Sequence, residues 1–135
     1  MKLDPAAFQA DSDLLAALEA RASTLVCKEE RVLFLQGEAP AGLYILLSGA
    51  ASLLMTAPTG EQVIDTPVAP GALLGLPGII GNQPYSLTGI AAKGAVIGFI
   101  ATEDFSRLML SDPALSLKVL RVLAAEVRAA RGAIG

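Results

Sequence analysis

The chain has 135 residues, 53% hydrophobic and 17% charged, which suits one folded domain with a real core and excludes an intrinsically disordered segment. Its net charge of -3 argues against non-specific attraction to DNA or to an anionic membrane. Histidine is absent and cysteine occurs once, so His-ligated haem or zinc, a His general base, an internal disulfide and a cysteine-ligated iron–sulfur cluster are excluded, and no cofactor is expected.

In chain order, the Met1-Lys2-Leu3-Asp4-Pro5 start lacks the long apolar run of a secretory signal. The most apolar windows, 72–80 and 94–101, are broken by Gly or Pro, too short for a spanning helix. A soluble, cytoplasmic protein is therefore expected. Asp4-Pro5 starts one helical turn, and Ser12 is expected to cap a helix carrying Leu14, Leu15, Leu18 and Ala22 on one face. From about Thr24 the texture changes to short β-prone runs, predicted as strands at 24–27, 32–35, 44–48, 51–56, 62–68, 87–92 and 95–100. Gly, Pro, Asn and acidic residues punctuate them at Glu29-Glu30, Glu38-Ala39-Pro40, Pro58-Thr59-Gly60, Pro70-Gly71 and Lys93-Gly94. Many short strands at roughly regular spacing imply an antiparallel sandwich or jelly roll. A very short helix interrupts them at 74–82, with Pro77 at its first position and Gly81-Asn82 ending it.

Helical pattern returns at Thr102-Glu103-Asp104, with Phe105 and Leu108 turned inward. Ser111-Asp112-Pro113 then opens a longer helix that is expected to run to about Arg131, where Gly132 stops it. Lys118, Arg121, Ala125 and Arg128 line one narrow face of that helix. Leu115, Leu117, Val119, Leu120, Val122, Leu123, Ala124, Val127 and Ala130 supply an apolar surface wider than one sheet covers, so a second partner is implied.

One stretch is the most informative. Gly37-Glu38 is followed by Tyr44-Ile45-Leu46-Leu47-Ser48-Gly49, then by Ala51 to Met55 and a Thr59-Gly60-Glu61 turn. This layout resembles the cyclic-nucleotide-binding domain family, the sensory module of CRP/FNR-type bacterial regulators. The resemblance runs from about Leu14 to Arg131 and implies a mainly β fold with flanking helices, in one domain over residues 1–135. Its centre would be an antiparallel β-roll (a double-stranded β-helix, or jelly roll) of about eight strands. Short N-terminal helices, a cassette helix and a long C-terminal dimerisation helix would surround it. It also implies a homodimer through Leu117, Leu120, Leu123, Ala124 and Val127.

The family's cassette carries a Gly-Glu-Leu step whose Glu bonds the ribose, and about ten residues later an Arg that binds the cyclic phosphate. Here Leu76 follows Gly75, and counting back from Val96 puts Pro84 at the Arg position, followed by Tyr85 and Ser86. No arginine lies between Val32 and Ser106, Lys93 is the one basic residue there, and no acid lies between Asp65 and Glu103. Losing a bidentate Arg–phosphate pair costs ~3–5 kcal/mol, roughly two to four orders of magnitude in affinity. Binding of cAMP or cGMP is expected to be weak or absent. Leu76, Ile79, Pro84 and Tyr85 would make an apolar pocket beside Gly75, with Asn82, Ser86 and Thr88 as polar handles for a neutral or lipophilic effector. Alternatively the same side chains fill the old site as core, which the Leu/Ile/Ala-rich span favours.

The expected function is a stand-alone, non-catalytic regulatory domain that acts through another small effector or a protein partner. The chain itself is expected to contact neither nucleic acid nor membrane. One alternative is a genuine cyclic-nucleotide receptor with an arginine-free site built from backbone amides and Ser86 or Thr88. Another is the sensor part of a longer transcription regulator, and a cupin-like enzyme ranks last because no His is present. Cys27 reads as a small buried hydrophobe, and Glu29-Glu30 and Glu103-Asp104 as a solvated turn and a dipole-favoured helix start. Ser48, Ser86 and Ser111 lack a His partner, and Lys118, Arg121 and Arg128 read as the wet side of the dimer helix.

Overall fold

A computed structural model describes residues 1–134. A 3-10 turn at Pro5–Phe8 leads into α1 (Ser12–Glu19), then β1 (Ser23–Val26), β2 (Arg31–Phe34), β3 (Gly42–Ser48), β4 (Ala51–Thr56), β5 (Gln62–Val68) and β6 (Leu73–Leu74). The short helix α2 (Leu76–Gly81) interrupts before β7 (Thr88–Ala91) and β8 (Val96–Ala101), and α3 (Thr102–Ser111) and α4 (Pro113–Ile134) follow. The strands form two four-stranded antiparallel sheets, ordered β1-β8-β3-β6 and β2-β7-β4-β5. This is the β-roll with flanking helices.

The pattern of burial follows from what covers each sheet. Along β3, Leu46 belongs to the cluster between the sheets and Tyr44 packs against it, while Leu43 and Ile45 join a second cluster on the helical side. That second cluster holds Leu14 and Leu18 of α1, Leu76 and Ile79 of α2, Phe105 of α3 and Val119 and Val122 of α4. A strand covered on both faces reads as an unbroken apolar run, as Leu43 to Leu47 does. β5 sits at the edge of the other sheet, and there burial alternates: Ile64, Thr66 and Val68 are buried while Asp65 and Pro67 are exposed. Pro67 is tolerated because an edge strand has a row of N–H groups that need no partner strand.

Four aromatic rings stack through the roll in the order Tyr85, Phe34, Tyr44 and Phe99, with centroids 4.4, 5.3 and 4.9 Å apart. Neighbouring strand glycines make room for them. A Cβ on Gly89 would lie 2.6 Å from the Phe34 ring, and one on Gly42 would lie 2.3 Å from the Ile100 carbonyl oxygen and 2.6 Å from the Phe99 ring. Cys27 is buried in the inner cluster, as expected of a small hydrophobe.

Several local expectations change. The α1 cap is Asp11, not Ser12: its Oδ1 accepts the Leu14 N–H at 2.8 Å, and its carboxylate also pairs with Lys118 of α4. A charged cap that ties two helices together outcompetes a hydroxyl. β6 went unseen because two residues, Leu73-Leu74, carry no period. α4 runs through Gly132 to Ile134, since a glycine ends a helix only where the chain needs a left-handed turn, and Gly132 has no positive φ. At its other end Asp112 Oδ1 accepts the Leu115 N–H at 3.2 Å, as the Ser111-Asp112-Pro113 signal predicts.

Candidate functional site: a cavity between the roll and the last helix

The site is assembled by the cassette. Gly75 holds φ +91°, and a Cβ there would approach Tyr85 Cε1 to 2.7 Å, so glycine is required for both the turn and the space. α2 then runs six residues and closes on Asn82, itself left-handed at φ 50°. The chain returns across Pro84 to Tyr85, whose hydroxyl donates to the Gly42 carbonyl at 2.7 Å and accepts the Ala41 and Gly42 N–H groups at 3.1 Å each. Tyr85 is thus a strut that fastens the cassette loop to the start of β3. The next residues, Ser86 and Leu87, line a cavity together with Leu123, Glu126, Val127 and Ala130 of α4.

Two adjoining cavities lie here. A small one of about 20 Å³ sits under the loop and includes Gly75, Gly78, Tyr85 and Phe34 in its lining. A larger one of about 200 Å³ opens between Met55 and Ile64 of the sheet and Leu123, Val127 and Ala130 of α4. Phe8, Pro77, Ser86, Leu87 and Glu126 border both. Glu126 is the one charged residue among the described residues lining either cavity. Its Oε2 is buried and finds no hydrogen-bond donor in the protein. Burial pushes its carboxyl pKa up to about 8, so the group is largely protonated at neutral pH.

Of the pocket residues named from the sequence, Gly75, Tyr85 and Ser86 meet at the cavities. Leu76 and Ile79 instead point into the helical-side core. Asn82 and Pro84 are exposed on the cassette loop, and Thr88 spends its Oγ1 accepting the Gln36 N–H at 2.9 Å. On α4, Leu117 and Leu120 are half exposed, Ala124 is exposed and Val127 is 44% exposed. Leu123 is partly buried and lines the larger cavity. Lys118 leaves the wet face of α4 to join Asp11, which holds the Asp11 carboxyl below its ordinary range.

Glu126 escaped the sequence reading. The signal was present: a single acid inside Ala124-Ala125-Glu126-Val127, on the apolar side of the helix.

Residues 24–112 match the cyclic nucleotide-binding domain family, a stretch that spans the roll, the cassette and α3. The chain belongs to that family. No match was found among curated proteins. Among solved structures, the catabolite activator protein of Thermus thermophilus superposes with a TM-score of 0.80 at 19% identity, over 97% of this chain and 62% of that one. The N-terminal domain of a transcriptional regulator from Streptomyces coelicolor A3(2) gives 0.68 at 24% identity, over 96% and 90%. A cyclic nucleotide-binding-like protein from Brucella abortus gives 0.59 at 28% identity, over 74% and 84%. The fold is that of the CRP/FNR-type sensory domain, and this chain spans 62% of the Thermus protein's length. No helix among the described residues is long and apolar enough to cross a membrane.

Among the described residues no Lys or Arg lines either cavity, and the one acid that does is Glu126.

Proposed function

We propose that this chain is a sensory domain of the cyclic nucleotide-binding family that does not take cAMP or cGMP in the usual way. It responds instead to another small effector through α4. The observation that carries this reading is Glu126 standing, with no basic residue beside it, in the cavity between cassette and last helix. A phosphate there would be desolvated without a cation or a bidentate donor. The cavity of about 200 Å³ is also below the ~300–1,000 Å³ usual for small-molecule sites. Calorimetric titration with cAMP and with cGMP is expected to give no saturable binding tighter than about 1 mM. Saturable micromolar binding of either would refute the reading.

Output runs through the helix. Leu117, Leu120, Ala124 and Val127 recur at intervals of three, four and three residues, the spacing of a coiled-coil seam, and all are exposed at least in part. They support parallel pairing of α4 with a second copy. Val127 both belongs to this seam and lines the cavity, so filling the cavity biases the seam directly. Leu120→Asp places a charge in the seam and is expected to convert a dimer to a monomer in sedimentation equilibrium while leaving the melt cooperative. An unchanged dimer mass would show that another surface pairs.

A further inference from the structure

We infer that the Glu126 carboxyl anchors a small, mainly apolar ligand that ends in a basic nitrogen. This rests on the proposal that the cavity does not take a cyclic nucleotide. Three properties of the site select among ligand classes. Its size, about 200 Å³, is near the ~150 Å³ that admits one benzene-sized ring in an apolar protein cavity. Its walls are aliphatic and aromatic, from Leu3, Phe8, Met55, Ile64 and Leu87. Its polar groups are Ser86 and a carboxyl with an unpartnered oxygen.

An anion finds no cation there and meets an acid. A neutral alcohol gains one neutral hydrogen bond. A free amine does more: its lone pair takes the Glu126 proton, leaving a carboxylate and an ammonium in contact, with no net charge carried in. The unpartnered Oε2 then accepts a charge-assisted N–H bond, roughly twice as strong as a neutral one. Nothing else competes for the proton. Tyr85 is the other titratable group on the cavity walls, and its hydroxyl is engaged by Gly42. The N-terminal segment, β4, β5, α2 and the cassette loop bring no charged side chain to the cavities, and Arg121, Arg128 and Arg131 of α4 are exposed and line neither.

The test compares benzylamine, benzyl alcohol and benzoate, which share one ring, by NMR titration of the full chain at pH 7. Benzylamine is expected to bind at least tenfold more tightly than the alcohol, with benzoate weakest. Glu126→Gln removes the amine's advantage and leaves the alcohol unchanged. In the wild type, the Glu126 carboxyl carbon-13 titration is expected near pH 8 in the free protein, and is expected to move downward with benzylamine and to stay in place with benzyl alcohol. Equal affinities, no binding by any probe, or an amine preference that survives Glu126→Gln overturns the assignment. cAMP is titrated alongside: its saturable binding overturns the preceding proposal, whereas failure of benzylamine alone overturns only this one.

Discussion

Replacing Glu126 with leucine raises the melting temperature at neutral pH, and the gain grows between pH 5 and pH 8. In the unfolded chain the carboxyl ionises near its ordinary 4.5, whereas in the folded protein burial holds it protonated to about 8. Between those values the native state binds more protons than the unfolded state, so stability falls as pH rises. The contribution is fully present below about pH 4.5 and lost by pH 8, an upper bound of about 5 kcal/mol for this shift. At pH 7 the leucine variant recovers about 3 kcal/mol, or ~10 °C in Tm for a domain of this size. Leucine also suits the apolar walls, because it removes a buried carboxyl oxygen that has no hydrogen-bond partner. Thermal melts of both proteins at pH 5 and pH 8 decide it. A difference that is the same at both pH values, or smaller at pH 8, means that Glu126 is already ionised and solvated in the native state.

Tyr85→Phe is expected to cost about 2–4 kcal/mol, large for the loss of one oxygen atom. The ring remains against Phe34, so the aromatic stack survives. The loss is in polar satisfaction: the N–H groups of Ala41 and Gly42 lose their shared acceptor, and the Gly42 carbonyl loses a donor. Gly42 is buried, so water reaches its N–H and carbonyl poorly, and an unsatisfied buried group costs more than a hydrogen bond gains. Ser86→Ala, one residue along and exposed, serves as the control and should stay within ~0.5 kcal/mol. Denaturant melts of the two variants suffice. If Tyr85→Phe is as mild as Ser86→Ala, the cassette is held by packing alone and the strut role is wrong.

The two predictions show where local reading succeeds and stops. Strands β3, β4 and β5 were legible because their apolar runs and bounding glycines are local signals, and observed β4 and β5 share their predicted ends. The α4 start was legible because capping is settled within four residues. Helix α1 was found but ends at Glu19, short of Ala22, and was capped wrongly, since the choice between Asp11 and Ser12 involves Lys118, 107 residues away. The pocket residues divided for the same reason. Leu76 and Ile79 have the composition of a lining, yet in a six-residue helix laid on β3 they face the helical-side core.

The sequence by itself determined the class of fold and the order of every element except β6, because composition, periodicity and short-range capping can be read along the chain. It also shows that no arginine lies between Val32 and Ser106. Tertiary structure alone decided that the Tyr85 hydroxyl braces the start of β3, and that Leu123 turns to the cavity while Leu117 and Leu120 stay outside. It also decided that, among the described residues, the one acid at the cavity comes from α4. The cavity is made by residues 3 to 130 brought together, and burial, which sets the protonation of Glu126, exists only once that chain has closed over it.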